Sequence, residues 1–258
     1  MRITSLSENT AQRADVQTEH GLSLYIEAGS HRILFDMGQS ELFLQNADTL
    51  GIDLSRVDVA VLSHGHYDHG GGLAAFLKIN AHAPVFLHRN AFLPYYNGTE
   101  KYIGLDPALS AHPRLHFTQG CHAIAPGLTL YDCNDKKRPH SFGSAGLCKR
   151  VGEELLPDDF LHEQYLLITE GERRVLISGC SHKGILDIAA WFLPDVLVGG
   201  FHFSKLPLDG TLTAAAQALN AHPTTYYTCH CTGRAQYEFM KQEMPRLHYL
   251  ACGESIEI

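Results

Sequence analysis

The sequence lacks the features of membrane, secreted and nucleic-acid-binding proteins. No apolar stretch approaches the ~20 residues that a membrane-spanning helix needs, and the opening MRITSLSENTAQ lacks the basic-then-apolar order of a signal peptide. Lysine and arginine number 20 against 28 aspartate and glutamate, and the longest basic run is Lys136–Arg138. With a formal net charge of -8, we expect a cytoplasmic protein that binds neither a membrane nor nucleic acid.

Cysteine is too scarce for a disulfide scaffold. The seven cysteines are an odd number in a chain of 258 residues, which indicates reduced thiols. Hydrophobic residues make up 45% and charged residues 19% of the chain, a balance typical of an ordinary globular protein. Its length suits one large domain or two small ones, and we find no internal repeat or linker, so we expect a single domain over residues 1–258.

Apolar patterning predicts strands followed by interleaved helices. Val57–Leu62 is short and almost wholly apolar, which is typical of a strand buried on both faces, so helices should cover both sides of its sheet. Between Arg89 and Pro157 the pattern is irregular, and we expect two short strands and a long loop that covers the functional site. The predicted fold class is α+β, a four-layer αββα sandwich.

The strongest chemical signal is a run of histidines directly after that strand. Residues 63–69 read Ser-His-Gly-His-Tyr-Asp-His, with three imidazoles and one carboxylate within six residues. These groups suit zinc, iron or manganese, and a loop that leaves a strand end can turn several of them onto one point. His64 and His66 can share one metal ion while Asp68 and His69 face a second. The alternative, a polar loop of solvated histidines, is disfavoured by the specific spacing.

This motif resembles that of the metallo-β-lactamase superfamily, whose members share an αββα sandwich and a one- or two-metal site at one sheet edge. Further runs resemble the branch of proteins similar to 7,8-dihydropterin-6-yl-methyl-4-(β-D-ribofuranosyl)aminobenzene 5′-phosphate synthase. The similarity covers nearly the whole chain and is weakest between residues 89 and 157. The runs are Glu19–Ser23, Leu34–Ser40, Leu50–Leu54, Ser63–Leu73, Gly179–Ile185, Gly199–His202 and His230–Gly233.

The resemblance implies two divalent metal ions, which we expect to be zinc, with manganese or iron as alternatives. Asp36 resembles the aspartate that holds the metal-binding histidines in place, a role that fixes imidazole tautomers and is compatible with a turn before Gly38. The expected metal ligands are His64, His66, Asp68, His69, Cys180, His182 and His230.

Two of these ligands have alternatives. Cys180 stands where most of the superfamily has a metal-bridging aspartate, and it is either a ligand or a small apolar residue at a strand end. The third imidazole of the first ion is His182 or His162. The superfamily's usual histidine precedes this strand, as His162 does, but the glycines and the strand-loop-helix setting around His182 favour the latter. The neighbouring Cys229 and Cys231 are interpreted as packing residues.

Four further residues are candidates for contact with substrate. His202 follows an apolar strand and either contacts substrate and donates a proton, forming with Asp68 the expected catalytic pair, or has a structural role. Tyr67 is expected to line the pocket. Thr232 and Arg234 begin a helix and offer an anion site, or simply a helix cap. Among the unassigned histidines, His20 stands out because it lies within one of the resembling runs.

Three functions remain open at this stage. The first is a dinuclear hydrolase that cleaves a small ester, phosphoester or amide with a metal-bound hydroxide; the substrate is a small molecule that can carry phosphate. The second is a transferase resembling the synthase branch, which would join a dihydropterin diphosphate to a ribofuranosylaminobenzene phosphate and release diphosphate. The third is a non-catalytic, metal-containing ligand sensor. A fold alone does not decide among them, and the sequence gives no indication of the oligomeric state.

Overall fold

Strands dominate the secondary structure. The computed structural model describes residues 1–258 and contains 18 β-strands and six α-helices. None of the helices is long and apolar enough to cross a membrane. The strands are β1 Arg2–Ser7, β2 Ser23–Ala28, β3 His31–Phe35, β4 Val59–Val61, β5 Val85–His88, β6 Tyr95–Asn97, β7 Lys101–Tyr102, β8 Leu115–Thr118, β9 Cys121–Ala125, β10 Leu128–Tyr131, β11 Leu147–Val151, β12 Glu154–Pro157, β13 Tyr165–Glu170, β14 Arg173–Ile177, β15 Val196–Gly199, β16 Thr225–Thr228, β17 Leu247–Tyr249 and β18 Ser255–Glu257. The helices are α1 Leu42–Thr49, α2 Tyr67–Gly70, α3 Leu73–Ile79, α4 Ile185–Phe192, α5 Gly210–Asn220 and α6 Arg234–Lys241.

The strands pair into two seven-stranded mixed sheets and one small sheet. The orders are β18-β1-β2-β3-β4-β5-β8, β17-β16-β15-β14-β13-β10-β9 and β12-β11-β6-β7. In the first sheet β3, β4 and β5 are parallel neighbours, and in the second β14, β15 and β16 are. Because parallel strands end at the same edge of a sheet, the loops after them emerge together, the usual place for a ligand site.

Alternate residues of the central strands face different cores. On β3, Ile33 and Phe35 face the other large sheet, whereas Leu34 faces the helices. The clusters between the sheets and beneath the two helical layers hold 20, 19 and 19 buried residues, so each large sheet is covered on both faces. The layer order is therefore helix, sheet, sheet, helix, which confirms the predicted α+β sandwich. The predicted two-sided burial of the Val57–Leu62 run is confirmed as well, because its residues contribute alternately to two of these cores.

The long loop predicted between Arg89 and Pro157 is present only in part, because residues 132–146 contain no helix or strand while other parts of the region are folded. This region forms β6, β7, β11 and β12, a sheet whose strands are two to five residues long and largely exposed. Half-exposed strands of this length leave no apolar periodicity to detect in the sequence. A small core of Tyr95, Ile103, Leu147 and Phe160 joins the sheet to Tyr67. The irregular region therefore covers the histidine-rich loop as a folded sheet.

Candidate metal centre

Loops that follow five parallel strands converge at one edge of the two large sheets. Asp36 follows β3, the histidine motif follows β4, and the loops after β14, β15 and β16 bring the remaining groups. They surround a cavity of about 200 Å³, hereafter the edge cavity. Its lining includes His66, Tyr67, Asp68, Cys180, His182, His202 and His230.

Left-handed backbone marks these loops. Asp36, Ser181, His202 and His230 all have φ between 47° and 59°, a region that non-glycine residues seldom adopt. Such strain persists where the surrounding structure fixes the backbone, and it concentrates at functional sites. Here it turns the chain sharply at four strand ends, so that side chains from separate strands reach one cavity.

A first cluster consists of His64, His66 and His182. One ring nitrogen from each lies within 4.8 Å of the others, and the Nε2 atoms of His64 and His182 are 3.2 Å apart. The ring of His182 stacks on Phe160 at a centroid distance of 4.5 Å. Burial and the neighbouring imidazoles hold the pKa values of His64 and His182 well below the usual range. Both rings are therefore neutral at physiological pH, the state in which imidazole binds metal.

A second cluster consists of Asp68, His69 and His230. Asp68 Oδ2 lies 4.0 Å from His69 Nε2 and 3.5 Å from His230 Nε2. Burial alone would raise the pKa of Asp68, but His69, His20 and His230 outweigh it and hold this pKa well below its usual range. The carboxylate is therefore ionised and faces three imidazoles, those of His20, His69 and His230.

A hydrogen-bond chain centred on Asp36 determines which nitrogens face the cavity. Asp36 Oδ2 accepts from Ser63 Oγ at 2.7 Å and from His69 Nδ1 at 2.6 Å. Since the Ser63 hydroxyl donates its only proton there, it must accept from Nδ1 of His64, 2.8 Å away. Both rings thus carry a proton on Nδ1, and His64, which is neutral, presents a bare Nε2. This contact is the one expected of Asp36.

His69 differs from the other buried imidazoles in its charge. Burial would lower its pKa, but the carboxylates of Asp36 and Asp68 raise it to about 9. Without a metal ion, this ring is therefore protonated at neutral pH. Its Nε2 would have to lose that proton to bind a cation.

Cys180 lies between the two clusters. Its buried Sγ is 3.1 Å from His69 Nε2 and within 4.8 Å of ligand atoms of His202, His230 and Cys231. Burial raises the pKa of the thiol well above its usual value. Cys229 packs in the core between the sheets, whereas Cys231, which is also buried, lines the edge cavity.

The structure brings His182, and not His162, to the first cluster. His162 Nδ1 accepts from the Gly65 amide at 2.8 Å, and Nε2 lies 3.1 Å from Asp158 Oδ2. Both of its ring nitrogens are therefore occupied within the protein. Its ring also stacks on Tyr95 at a centroid distance of 3.9 Å, which places it beside the cluster as a support.

The donor set fits a divalent metal ion. Nε2 of His66 and His230 and Nδ1 of His182 and His202 are buried without a hydrogen-bond partner. Buried polar atoms without partners are rare in native proteins because leaving one unsatisfied costs ~1–3 kcal/mol. Four such atoms around one cavity indicate that another species satisfies some of them. Imidazole, carboxylate and thiol together suit zinc, manganese or iron.

Three buried carboxylates that sequence reasoning did not identify contact the segments that carry these histidines. Glu163 Oε1 accepts from the His182 amide at 2.6 Å, and Glu8 Oε1 accepts from the His230 amide at 2.6 Å. Asp158 lies beside both His162 and His66, at 3.1 and 3.7 Å. No motif marks these acids in the sequence, because their partners are up to 222 positions away.

The expected substrate contacts divide into two groups. Tyr67 and His202 line the edge cavity, and the ring of His202 is 4.4 Å from that of His182. Burial would lower the pKa of His202, but the thiol of Cys231 beside it raises this pKa.

Thr232 and Arg234 lie outside the cavity. The Thr232 hydroxyl is buried and accepts from the Phe201 amide. Arg234 pairs with Glu238 at 2.7 Å and stacks over Tyr249. The structure therefore does not bring the predicted anion site at this helix start to the other site residues.

Two lysines not identified from the sequence line the mouth of the cavity instead. Lys101 belongs to β7 and Lys205 follows the loop of His202, and both are exposed. Lys101 Nζ lies 3.4 Å from the Tyr67 hydroxyl. Neither lysine forms an ion pair with a protein carboxylate, although pairs involving other residues are present on the surface. In the sequence, the only indication of their role is their positive charge, close to segments that form the cavity.

Comparison with known proteins agrees with this architecture. The family model of the metallo-beta-lactamase superfamily matches residues 17–220. An uncharacterised protein of Methanocaldococcus jannaschii is 30% identical over 90% of this chain and 90% of its own length. A second protein of that organism, named 7,8-dihydropterin-6-methyl-4-(beta-D-ribofuranosyl)-aminobenzene-5'-phosphate synthase, is 28% identical over 96% of this chain and 94% of its own. The crystal structure of a metal-dependent hydrolase of the beta-lactamase superfamily has a TM-score of 0.85 and 31% identity, with 100% of this chain and 99% of that chain covered.

Proposed function

Because the chain belongs to the metallo-β-lactamase superfamily, we propose that it is a metal-dependent hydrolase that uses two divalent ions, zinc in the first instance. The observation that carries the proposal is the convergence of two donor clusters with Cys180 between them. A single ion needs only one such cluster, and a structural zinc site is closed by four protein ligands without an adjoining cavity. The substrate is a small ester, phosphoester or amide.

The proposed ligands divide according to the two clusters. His64, His66 and His182 hold one ion, while Asp68, His69 and His230 hold the other. Cys180 is 3.1 Å from His69, which supports a place for its sulfur at the second ion. Two ions of this kind would supply Lewis acidity, and they would lower the pKa of a bound water molecule to about 7.

The remaining cavity residues bind and orient the substrate. His202 lies on the wall beside His182, where its imidazole can hydrogen-bond the reacting group and hold a proton for the leaving group. Tyr67 lines the same cavity beside Lys101 of β7. The small sheet above the cavity limits access of solvent to these groups.

Unpaired positive charge at the cavity mouth supports an anionic substrate. Lys101 and Lys205 have no carboxylate partner, whereas the chain as a whole carries a net charge of -8. A lysine ammonium recognises phosphate or carboxylate as a point charge. We therefore include a phosphate or carboxylate group in the proposed substrate. The proposal also includes a cytoplasmic location, which the seven free thiols support.

The decisive experiment combines metal analysis with a substrate screen. Protein purified without added metal is analysed for zinc, manganese and iron, then assayed with phosphomonoesters, phosphodiesters, thioesters, lactones and amides. We expect close to two ions per chain and turnover that stops on chelation and returns with metal. His66→Ala should lower both metal content and turnover, while His31→Ala, at the first residue of β3 and therefore at the opposite end of that strand from Asp36, should change neither. A wild-type chain that binds no transition metal would refute the proposal.

The similarity to the named synthase supports a second candidate, a transferase. That relative is similar over 96% of this chain, and two lysines at a cavity mouth suit a diphosphate leaving group as well as a hydrolysable phosphate. Diphosphate release that requires both a dihydropterin diphosphate and a ribofuranosylaminobenzene phosphate would favour this candidate. Hydrolysis of either compound alone would favour the first. Tight ligand binding without turnover by any metal form would instead indicate a sensor.

A further inference from the structure

The side chain of Asn9 lies between two imidazoles beside the second cluster. Its Oδ1 is 2.7 Å from His230 Nδ1, and its Nδ2 is 3.2 Å from His20 Nδ1. The two rings are 4.9 Å apart at their centroids. On their far sides, both Nε2 atoms approach the same atom, Asp68 Oδ2, at 3.5 Å for His230 and 3.3 Å for His20.

A carboxamide has one accepting end and one donating end, so it cannot hold two neutral imidazoles in the same tautomer. Opposite Oδ1, His230 must donate from Nδ1, and its Nε2 is then bare. Opposite Nδ2, His20 must accept at Nδ1, and its proton is then on Nε2. The two rings look equivalent from Asp68, but they present a lone pair in one case and an N–H in the other.

We propose that Asn9 is a positioning residue that makes His230 a metal ligand and makes His20 a hydrogen-bond donor to Asp68. Distance alone would make His20, Asp68 and His230 a ligand trio, since their ligand atoms lie within 4.8 Å of one another. The amide removes His20 from that set, because a protonated Nε2 has no lone pair to give. The buried, unpartnered Nε2 of His230 agrees with this assignment.

The role of His20 follows from where its proton points. An N–H directed at Asp68 Oδ2 occupies one lone pair of that oxygen and fixes the carboxylate plane against His69 and His230. Partners of this kind contribute to metal affinity even though they do not touch the ion. Asn9 and His20 are both exposed, so substituting them should leave the cores intact.

The first test reads the tautomers directly and needs neither metal nor substrate. Long-range proton–nitrogen NMR spectra of the uniformly ¹⁵N-labelled, metal-free full chain distinguish Nδ1-protonated from Nε2-protonated rings. Spectra of His20→Gln and His230→Gln assign the two signals. We expect Nε2–H for His20 and Nδ1–H for His230. Nδ1–H on His20 would overturn the proposal, because the amide would then be reversed.

The same spectra test Asn9 itself. Asn9→Asp replaces the donating end by a second acceptor, so His20 should gain an Nδ1–H beside its Nε2–H while His230 keeps its Nδ1–H. Asn9→Ala removes both contacts and should leave each ring as a mixture of tautomers. An unchanged His20 signal in Asn9→Asp would show that the amide does not select the tautomer.

The second test uses zinc titration by calorimetry and rests on the proposed dinuclear centre. We expect His230→Ala to bind one zinc ion, and His20→Ala to bind two, the weaker of them with affinity reduced ~10–100-fold. His20→Gln should restore most of that loss, since its side-chain amide can still donate to Asp68. A His20→Ala chain that binds a single ion, without rescue by His20→Gln, would make His20 a ligand and overturn the inference.

Thermal unfolding of each variant provides the folding control, and His31→Ala again serves as the matched histidine substitution. If the wild-type chain binds fewer than two zinc ions, the dinuclear proposal fails, while the NMR result still decides the assignment of tautomers. The two failures are therefore distinguishable.

Discussion

Asp36 and His69 are joined by a buried contact of 2.6 Å between Oδ2 and Nδ1. The same carboxylate receives the Ser63 amide on Oδ1 and the Ser63 hydroxyl on Oδ2. One side chain thereby fixes His69 directly and His64 through Ser63. Because His64 belongs to the first cluster and His69 to the second, Asp36 connects the two proposed metal positions.

The Asp36→Asn variant tests this connection. Asparagine tolerates the left-handed backbone at this position, so the turn should survive. Its amide, however, offers one acceptor where three donors converge, so the Nδ1–H groups of His69 and, through Ser63, of His64 lose their common support. We expect zinc affinity to fall ~10–100-fold at both positions, measured by competition with a chelating dye. Asp48→Asn, an exposed position in α1, is the control. Loss of affinity at one position only would contradict the connection through Ser63.

The raised pKa of His69 predicts a pH dependence of zinc binding. With a pKa of about 9 in the metal-free protein, His69 is protonated at pH 8, so zinc must displace that proton. Zinc affinity should therefore rise with pH until about pH 9. Calorimetry at pH 8 in buffers of different ionisation enthalpy should show about one more proton released by the wild type than by His69→Gln. Equal release would show that the ring is already neutral.

The same shift has a defined sign for the stability of the metal-free chain. The folded pKa of His69 lies above the ordinary value of ~6.5, so the protonated ring stabilises the native state fully below about pH 6.5. That contribution is lost as the pH rises through about 9. The difference in unfolding free energy between the wild type and His69→Gln, measured with urea, should therefore shrink over this interval. A difference that grows with pH would contradict the assignment.

The layers of the fold could be predicted from the sequence more completely than the details of the site. Buried strands such as β14 can be predicted because both of their faces need apolar residues. The resulting run of apolar residues is a local pattern in the sequence. The histidine motif is equally local, since four of its groups lie within six residues. Asn9 and His230 are 221 positions apart. The residues around each of them give no indication that their side chains form a hydrogen bond. Thr232 and Arg234 show a further limit, because a helix start suggests either an anion site or a helix cap and does not show that the Thr232 hydroxyl is buried against the Phe201 amide.

The lysines at the cavity mouth predict charge-dependent selectivity. Lys101→Ala and Lys205→Ala should each raise KM for an anionic substrate about tenfold, which corresponds to ~1.4 kcal/mol, and the effect should weaken at high salt. A neutral ester of the same acyl group should be nearly unaffected. Lys136→Ala, an exposed lysine away from the cavity, is the control. Equal effects on charged and neutral substrates would indicate a structural role.

His202 tests whether the wall of the cavity takes part in the reaction. Its ring lies 4.4 Å from that of His182, and its Nδ1 is buried without a partner, yet it belongs to neither donor cluster. If it hydrogen-bonds the reacting group and holds a proton for the leaving group, His202→Ala should lower kcat by ~100-fold or more, with little change in KM. His202→Gln keeps a hydrogen-bond donor and should recover part of the loss, but only for substrates whose leaving group needs no proton. Zinc content should remain at the wild-type value in both variants, measured by elemental analysis on the assayed samples. Loss of one ion in His202→Ala would instead make this imidazole a ligand, and the cavity wall would then need another residue to supply the proton.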